Sequence, residues 1–481
     1  MNLLIPFRVE RKMICLKSIF GDENISFTRI SVIRVFNILL LFTFITILIS
    51  TLSIDLSIWT HFKLSNLIGS LSRSATQIDP FARYNTNQDG PQSSRRYKYS
   101  SQLNLLSWST TEKPWFMING TITPNPSDPF SSRLPIFPEE DEPWNDRIVN
   151  QLMYIPANYN SSKLMEEGAL KKILLLDKGS WGRSMPSGQN VFLQDSCPVN
   201  TCEITFDNKH ATTADAIIFK DHYAKPKHVK PPNQIWILYI LESPLHTPSF
   251  RSLNDVINWT ASYRHDSDIV TPYEKFVYYD SDVKAHSQST NYAKGKTKKV
   301  AWFVSNCSAR NKRLQYARSL AEYIQVDIFG RCGSLKCSRT KADECFSKLD
   351  KEYKFYLSFE NSNCRDYITE KFYSNGLNHS VIPITMGAHP EDYKRSAPAN
   401  SFIHVDDFPS PHQLAQYLDQ LDANDTLFNQ YFTWKGSGEF INTYFWCRLC
   451  AMLHAPIKPK NYDNLANWWY PSSICNSNDW L

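Results

Sequence analysis

Two phosphate-binding signatures are missing from the sequence. It contains no G-x-G-x-x-G run and no G-x-x-x-x-G-K-[ST] run. The first is typical of NAD-binding folds and the second of P-loop nucleotide hydrolases, so their absence argues against both enzyme classes. A large excess of charge of one sign is also missing, because 52 basic and 47 acidic residues leave a formal net charge of +5. That balance does not indicate a nucleic-acid partner, and none is expected.

One long apolar run, residues 35–54, carries no charged residue. About twenty helical residues span a bilayer core, so this run is predicted to be a transmembrane anchor. Basic residues outnumber acidic ones in the preceding tail, residues 1–34, which the positive-inside rule places in the cytosol. A cleaved signal peptide is the alternative. The long leader and the lack of a small-x-small cleavage site argue against it.

The segment after the anchor, residues 55–145, is rich in Ser, Thr, Asn and Pro and shows little periodicity. This composition predicts a flexible stem without a core of its own. A stem on a single anchor suits an enzyme that reaches bulky substrates delivered on membranes.

Cysteine usage indicates that the body folds in an oxidising compartment. Cys15 precedes the anchor, and the ten cysteines that follow it form an even set. The cysteines of Cys197-x4-Cys202 and of Cys447-x2-Cys450 are close enough to bridge locally, but the sequence leaves the disulfide pairing open. Cys447 and Cys450 are expected to be structural disulfide cysteines. A zinc or thioredoxin-like site is the alternative for the second pair, but no second CxxC follows it and no strand-to-helix turn contains it. Six N-x-S/T acceptors follow the anchor: Asn119, Asn160, Asn258, Asn306, Asn378 and Asn424.

Strand and helix patterns alternate through the rest of the chain, in two halves that divide near residue 290. They predict an α/β fold with two doubly wound domains, 146–290 and 291–460, and a C-terminal tail, 461–481. A cleft between two such domains is a favoured place for a small-molecule site. The sequence gives no indication of the oligomeric state. The predicted strands are 171–177, 216–219, 234–241, 300–304, 326–329 and 402–405, and the predicted helices include 313–324 and 412–421.

The most informative stretch is residues 354–387. KFYLSFE predicts a buried strand, Asn361-Ser362-Asn363 a turn, residues 367–378 a helix and residues 381–386 a second strand. Strand, loop, helix and strand make a βαβ unit, in which ligands bind beyond the carboxyl ends of the strands. Glu370 and Lys371 fall in the first turn of the predicted helix, where phosphate groups bind readily.

These residues also resemble a known family. FENSNCRDYITEK, followed by NGL and VIPITMG, resembles the donor-site signature of the α1,3-fucosyltransferases. The resemblance runs from about residue 171 to the end and is strongest over 300–453. Runs such as SFIHVDDFPSP and YFTWKGSGEFINTYFWCRLCAMLH resemble the core α1,3-fucosyltransferases of plants and invertebrates more than the Lewis-antigen branch. Gly376 departs from the family, which usually has Ala there, and costs about 1 kcal/mol of helix propensity.

The resemblance implies an inverting transferase with two facing Rossmann-like domains, the GT-B architecture. It implies transfer of L-fucose from GDP-fucose, in α1,3 linkage, to GlcNAc of N-glycoprotein acceptors, with the innermost Asn-linked GlcNAc as the expected site. Residues 146–290 would form the acceptor side and 291–460 the GDP-fucose side, in a type II protein of the Golgi membrane. Two alternatives are a Lewis-type enzyme acting on antennal GlcNAc and an inactive, stem-anchored carbohydrate-binding relative.

Glu242 is the candidate general base. It follows the buried strand QIWILYIL, where a carboxylate is costly unless it is paired or functional. Its ESP context resembles the family position of the base. The alternative roles are a helix N-cap or a buried ion pair.

The candidate donor-binding residues are Arg313, Asn361, Tyr367, Glu370 and Lys371. Arg binds phosphate oxygens bidentately and Lys acts as a point charge, so Arg313 and Lys371 are predicted to hold the diphosphate. An Arg at a helix start is more often a surface residue, but its place in NKRLQYARSL resembles the family. The resemblance implies that Glu370 binds the ribose hydroxyls and that Tyr367 and Asn361 line the donor.

Two DxD sequences leave a metal-dependent alternative open. Asp266-Ser-Asp268 and Asp280-Ser-Asp282 both precede the basic linker 286–299, and the second follows KFVYY, as in single-domain, manganese-dependent transferases. The diphosphate can be neutralised by Arg313 and Lys371 instead. No metal ligand is therefore assigned, and manganese is expected at most to stimulate the reaction.

Overall fold

The structure is a computed structural model, and it describes residues 113–120, 131–176, 178–182, 185–337, 342–456, 459–477 and 480. The predicted cytoplasmic tail, the predicted anchor 35–54 and most of the predicted stem lie outside these residues. Among the helices of the described part, none combines the length and the apolar character that crossing a membrane requires.

The described residues form strands and helices in alternation. The strands are β1 (Lys171–Leu175), β2 (Cys202–Thr205), β3 (Ala216–Lys220), β4 (Ile235–Ile240), β5 (Trp259–Ser262), β6 (Ile269–Val270), β7 (Lys275–Tyr278), β8 (Lys298–Phe303), β9 (Val326–Phe329), β10 (Tyr353–Phe359), β11 (Asn363–Cys364), β12 (Ile382–Met386), β13 (Ile403–His404), β14 (Gly438–Ile441) and β15 (Cys475–Asn476). The helices are α1 (Ile148–Met153), α2 (Ser161–Glu166), α3 (Lys178–Trp181), α4 (Asn190–Gln194), α5 (Arg313–Leu320), α6 (Ala342–Lys351), α7 (Pro390–Ser396), α8 (Pro411–Ala423), α9 (Asp425–Gln430), α10 (Phe445–Leu453) and α11 (Leu465–Trp469).

The first sheet contains β1 to β6 in the order β2-β1-β3-β4-β5-β6, and its neighbouring strands are parallel. Alternate side chains of one strand enter two different cores: Ile173 packs on one face and Leu174 on the other. A parallel sheet covered on both faces needs such near-continuous apolar strands. This is why KKILLL, AIIF and IWILYI could be recognised as strands from the sequence.

The second sheet has the order β13-β12-β10-β8-β9, and its neighbouring strands are also parallel. All seven residues of the central strand β10 are buried. The predicted α/β class with parallel sheets is therefore confirmed, and the predicted strands agree with the observed ones to within a few residues at each end.

The predicted helix at 367–378 is wrong. A π-helix covers only Tyr373–Leu377, and Glu370 and Lys371 lie in turns before it. The amides of Asn375, Leu377 and Asn378 donate to carbonyls five residues back, so this segment is wound as a π-helix and not as an α-helix. The Thr369 amide donates to a side chain, Glu360 Oε1. No α-helix start therefore stands beside Glu370 and Lys371.

The C-terminal part of the chain returns to the first sheet. Strand β14 pairs antiparallel with β7, and α10 packs in the core beneath β1, β3 and β4. The chain therefore crosses back after residue 437, within the stretch expected to belong to the second domain. The domain limits themselves stay a prediction.

The expected structural disulfides at Cys447 and Cys450 are confirmed, but the local pairings that the sequence allowed do not form. Cys197 pairs with Cys447 and Cys202 with Cys450, so each bond joins the first sheet to α10. Because Cys447 and Cys450 are three residues apart, they lie on one face of α10, and both cysteines point at residues 197–202. The remaining six pair as Cys307–Cys332, Cys337–Cys345 and Cys364–Cys475, which agrees with the expected even set.

Part of the predicted stem packs on the body. Phe116, Met117 and Leu134 are buried with α1 and Ile441, and Ile136 and Phe137 join the core of the first sheet. In the described stretches 113–120 and 131–145, packed segments therefore replace the expected flexible stem.

Candidate active site

The two sheets approach each other at the carboxyl ends of β4 and β10. Ligands bind at such ends in parallel α/β sheets. Glu242 and Ser243 follow β4, and Glu360, Asn361 and Ser362 follow β10. Ser243 Oγ and Ser362 Oγ are 2.9 Å apart, so the two loops are in direct contact.

Glu242 accepts three hydrogen bonds on one carboxylate oxygen. Oε1 receives the Tyr367 hydroxyl at 2.7 Å, the Ser243 amide at 2.8 Å and the Asn361 side-chain amide at 3.4 Å. Burial raises the pKa of Glu242, but these donors and the nearby His246 outweigh it and hold the pKa below its ordinary value. Glu242 is therefore ionised at neutral pH. The structure thus brings together Glu242, Asn361 and Tyr367, which the sequence had placed in opposite halves.

A second group of polar side chains supports Glu242 from behind. His246 Nδ1 lies 3.0 Å from Ser243 Oγ, 3.2 Å from Ser362 Oγ and 3.9 Å from Glu242 Oε1. Ser362 also donates to Asn361 Oδ1 at 3.0 Å. Sequence reasoning missed His246 and the two serines, because nothing in the local pattern shows that loops 119 residues apart meet.

Lys371 lies against a buried carboxylate that sequence reasoning also missed. Glu360 is fully buried, and its Oε2 is 3.2 Å from Lys371 Nζ, which also contacts Thr369 Oγ1 and Glu370 Oε1. Burial lowers the pKa of Lys371, but Glu360 and Glu370 more than offset this and raise the pKa above its ordinary value. Glu360 follows a buried apolar strand, as Glu242 does. The sequence pattern that made Glu242 a candidate site residue was therefore present for Glu360 as well.

Gly387 makes room for this buried carboxylate. Its φ of +148° and its approach to Glu360, where an added Cβ would lie 2.6 Å from the Glu360 Cβ, both require glycine. The end of β12 is therefore shaped around Glu360.

Arg313 lies deeper than a surface phosphate clamp. It is 4% exposed, and its Nη1 and Nη2 donate to the carbonyls of Phe359 and Asn306 at 2.6 and 3.2 Å. Its Nε is buried and has no hydrogen-bond partner. The side chain thus fixes the end of β10 and offers one unused donor, and burial lowers the pKa of its guanidinium.

Glu370 is the most open of the predicted site residues, with a side chain 49% exposed. Tyr273, which the sequence did not single out, lies nearby and donates its hydroxyl to the Leu241 carbonyl at 3.1 Å. Burial raises the pKa of Tyr273, and the carboxylates of Glu370, Glu360 and Glu242 add to the effect. The Tyr273 side chain therefore lies within electrostatic reach of all three acidic groups.

Both carboxylates of the first DxD sequence already form ion pairs. Asp266 receives two hydrogen bonds from Arg264, and the fully buried Asp268 pairs with Lys460 at 2.6 Å. Asp280 and Asp282 are exposed. Among the described residues, the one group with metal-ligand spacing is Cys202, Cys450 and His454, and its cysteines form a disulfide. Nothing in the described part of the chain supports the expected stimulation by manganese.

Comparison with known proteins gives two family matches. Residues 169–274 match the family described as "Fucosyltransferase, N-terminal", and residues 293–468 match "Glycosyltransferase family 10 (fucosyltransferase) C-term". Glycoprotein 3-alpha-L-fucosyltransferase A of Drosophila melanogaster is 52% identical over 393 residues, which are 79% of this chain and 77% of that protein. Alpha-(1,3)-fucosyltransferase 4 of Homo sapiens is 39% identical over 246 residues, 50% of this chain and 46% of that protein. A crystal structure of an α1,3-fucosyltransferase with GDP aligns at 17% identity and a TM-score of 0.41, over 61% of this chain and 92% of that one.

Proposed function

Because the chain belongs to glycosyltransferase family 10, the fucosyltransferase family, we propose that it transfers L-fucose from GDP-fucose, in α1,3 linkage, to GlcNAc of N-linked glycans. The observation that carries the proposal is the 2.7 Å hydrogen bond from Tyr367 to Glu242. It joins the FENSNCRDYITEK run to a carboxylate of the other sheet, so that a base and a donor site share one cleft.

Glu242 acts as the general base. Its described contacts all fall on Oε1, which leaves Oε2 to accept the proton of the acceptor hydroxyl. The acceptor oxygen then bonds to C1 of fucose, while the bond from C1 to the diphosphate oxygen breaks and its electron pair leaves with GDP. A positioned base contributes about 10²–10⁴-fold to such a step.

Lys371 and Arg313 stabilise the leaving diphosphate. Lys371 keeps its charge and is 23% exposed, so it exchanges its contact with Glu370 for a phosphate oxygen. Arg313 keeps its guanidinium buried, so it acts on the donor site by its positive charge and by holding the end of β10 in place. Glu370, released from Lys371, is free to accept from the ribose hydroxyls, and Asn361 and Tyr367 line the donor.

The finer architecture belongs to the same proposal. The two parallel sheets are facing Rossmann-like domains of GT-B type, carried on a stem and anchored in the Golgi membrane by residues 35–54. The five disulfides support a lumenal body, because disulfides persist in oxidising compartments.

The proposed acceptor is the innermost, Asn-linked GlcNAc of glycoproteins. The Drosophila relative, named a glycoprotein 3-alpha-L-fucosyltransferase, shares a longer stretch and a higher identity with this chain than the human relative does. An antennal GlcNAc acceptor is the alternative.

The test is transfer by the purified body, beginning near residue 100, to a defined N-glycopeptide with GDP-fucose as donor. Tandem mass spectrometry locates the added fucose, and linkage analysis identifies the hydroxyl. Fucose on the innermost GlcNAc is the expected result. Fucose only on antennae establishes the alternative, and release of GDP without transfer to any GlcNAc overturns the proposal.

A further inference from the structure

A second cavity lies behind the candidate active site. Its volume is about 920 Å³, and it is bounded by residues 133–150, by the loops around β6 and by side chains from 366–373 and 395–396. Tyr263 forms part of its wall, and the Tyr263 ring centroid is 5.2 Å from that of Tyr367, whose hydroxyl binds Glu242. Asp366 and Ile368, the neighbours of Tyr367, face the cavity. One tyrosine pair therefore separates it from the candidate base.

Three polar atoms in the wall of the cavity are buried without a hydrogen-bond partner. They are Asp141 Oδ2, Arg147 Nε and the Tyr263 hydroxyl. Arg147 and Tyr263 are 3% and 4% exposed, so neither group is well solvated. Leaving a buried polar group unmet is unfavourable. These atoms have almost no accessible surface, so a ligand in the cavity would supply their missing partners only as the side chains turn toward it.

The charge of the wall favours a neutral ligand. Four Lys or Arg and four Asp or Glu side chains line the cavity, so their charges cancel. Several are already paired across it: Lys275 with Asp146, and both His265 and Arg395 with Asp366. A nucleoside diphosphate would find no excess of positive charge there.

The wall of the cavity also presents aromatic side chains. Trp144 is 63% exposed at the rim of the cavity, and the rings of Tyr263 and Tyr373 form part of its inner wall. An exposed Trp beside hydrogen-bonding groups suits a ligand with apolar ring faces and polar edges. A hexose chain has both features and no charge.

We propose that this cavity binds a neutral part of the acceptor oligosaccharide, beyond the sugar that receives fucose. The inference rests on the proposed function, because it takes the ligand to be the glycan acceptor. Residues 133–150, expected to belong to the stem, thereby become part of the acceptor-binding surface.

The experiment compares two acceptors with two variants and two matched controls. Trp144→Ala removes the exposed ring, and Tyr263→Phe removes only the unpartnered hydroxyl. Tyr323→Ala removes a 51% exposed ring elsewhere, and Tyr393→Phe removes a buried hydroxyl outside the cavity. Steady-state rates are measured with a complete mannose-containing glycopeptide and with a chitobiose acceptor. Binding of the glycopeptide without donor is measured by calorimetry, and melting temperatures establish that each variant is folded.

The expected result is a rise of about 3- to 10-fold in KM and Kd for the complete glycopeptide in Trp144→Ala and Tyr263→Phe, which lowers kcat/KM relative to that for chitobiose. The kcat and the KM for GDP-fucose should change little, and the controls should keep the wild-type ratio. Equal ratios in folded variants and wild type overturn this inference while leaving the proposed function intact. Failure of the wild-type protein to fucosylate either acceptor overturns the proposed function itself.

Discussion

At the scale of single residues, Glu242 is held by donors that favour its charged form. Tyr367, Ser243 and Asn361 fix one oxygen, and His246 adds a polar neighbour. A base held this way is always ready to accept a proton, at the cost of a weaker intrinsic basicity, because a lowered pKa reduces the driving force for proton transfer.

Replacing Glu242 by Gln tests the role of the carboxylate. Glutamine keeps the shape and most hydrogen bonds but cannot accept the proton, so we expect kcat to fall by about 10²–10⁴-fold. The KM values for donor and acceptor should change little, because the lost interaction belongs to the transition state. Steady-state transfer is measured with hydrolysis of GDP-fucose followed in parallel. Near wild-type transfer would remove Glu242 from the mechanism.

The pH profile tests the environment of the same carboxylate. Because the pKa of Glu242 is held below its ordinary value, the base stays ionised as the pH falls, and kcat/KM should decline only below the range in which an ordinary glutamate titrates. Tyr367→Phe removes one of the donors that lower this pKa, so the acid limb should move to higher pH. The pH profiles of both proteins are measured in brief assays, and the protein is shown to be folded at each pH. If the acid limb of the pH profile does not move in Tyr367→Phe, Glu242 is not the group whose titration limits the reaction.

Replacing Lys371 and Arg313 tests their roles in binding GDP. Lys371→Met removes a partly exposed cation, so calorimetry should show GDP binding weakened by about 1.5–3 kcal/mol. The melting temperature should also fall, because the buried Glu360 loses its ion-pair partner. Arg313→Ala should likewise lower the melting temperature, because it leaves the buried Phe359 carbonyl and the Asn306 carbonyl without their donor. Lys394→Met, at an exposed surface pair, is the control. Equal GDP affinity in Lys371→Met and wild type would exclude Lys371 from the donor site.

At the scale of elements, local pattern determined what the sequence could predict. The strands β1, β3, β4 and β8 contain continuous apolar runs because both faces of each sheet are covered, and such runs are visible without tertiary information. Strands β9 and β10 are also mostly apolar, although polar residues interrupt them. The segment 367–378 has helical spacing, but its later amides donate to carbonyls five residues back, and the Glu360 side chain accepts the Thr369 amide. Neither effect can be derived from periodicity.

Long-range pairing was equally hidden. Cysteines five and three residues apart are close enough for local bonds, whereas the packing of α10 under the first sheet pairs each with a distant partner. In the site, Glu242 was found because it follows an apolar strand. His246 and Ser362 were not, because their roles depend on which loops meet.

The two disulfides to α10 should be redundant for stability. They close nearly the same loop, with sequence separations of 250 and 248 residues, so removing one leaves the loop closed. We expect Cys197→Ser with Cys447→Ser to cost much less than removal of both bonds, which should cost about 5 kcal/mol by the loop-entropy model. The measurement is denaturant unfolding of three variants: one that lacks Cys197–Cys447, one that lacks Cys202–Cys450 and one that lacks both bonds. Additive losses would contradict a shared loop.

At the scale of the whole molecule, the catalytic body includes chain from both ends. Residues 113–120 and 131–145 cover one side of it, and α10 and α11 return to the first sheet from the C-terminal part, while β14 pairs with β7 in a separate two-stranded sheet. Function therefore depends on segments outside the two α/β halves. The same N-terminal segments border the second cavity, so they contribute to both stability and acceptor binding.

Two truncations separate the tether from the body. A protein beginning near residue 100 should be secreted, folded and active, because it keeps every described residue. One beginning at residue 146 loses Phe116, Met117, Leu134, Ile136 and Phe137, all of them buried. Each contributes about 1.5–3 kcal/mol of burial, and the sum approaches the whole stability of a typical domain, so the shorter protein should fail to fold. Secretion, melting temperature and fucose transfer measure the difference. A folded but inactive longer protein would mean that the tail or anchor takes part in catalysis, and a shorter protein with wild-type melting and activity would show that these segments are not part of the body.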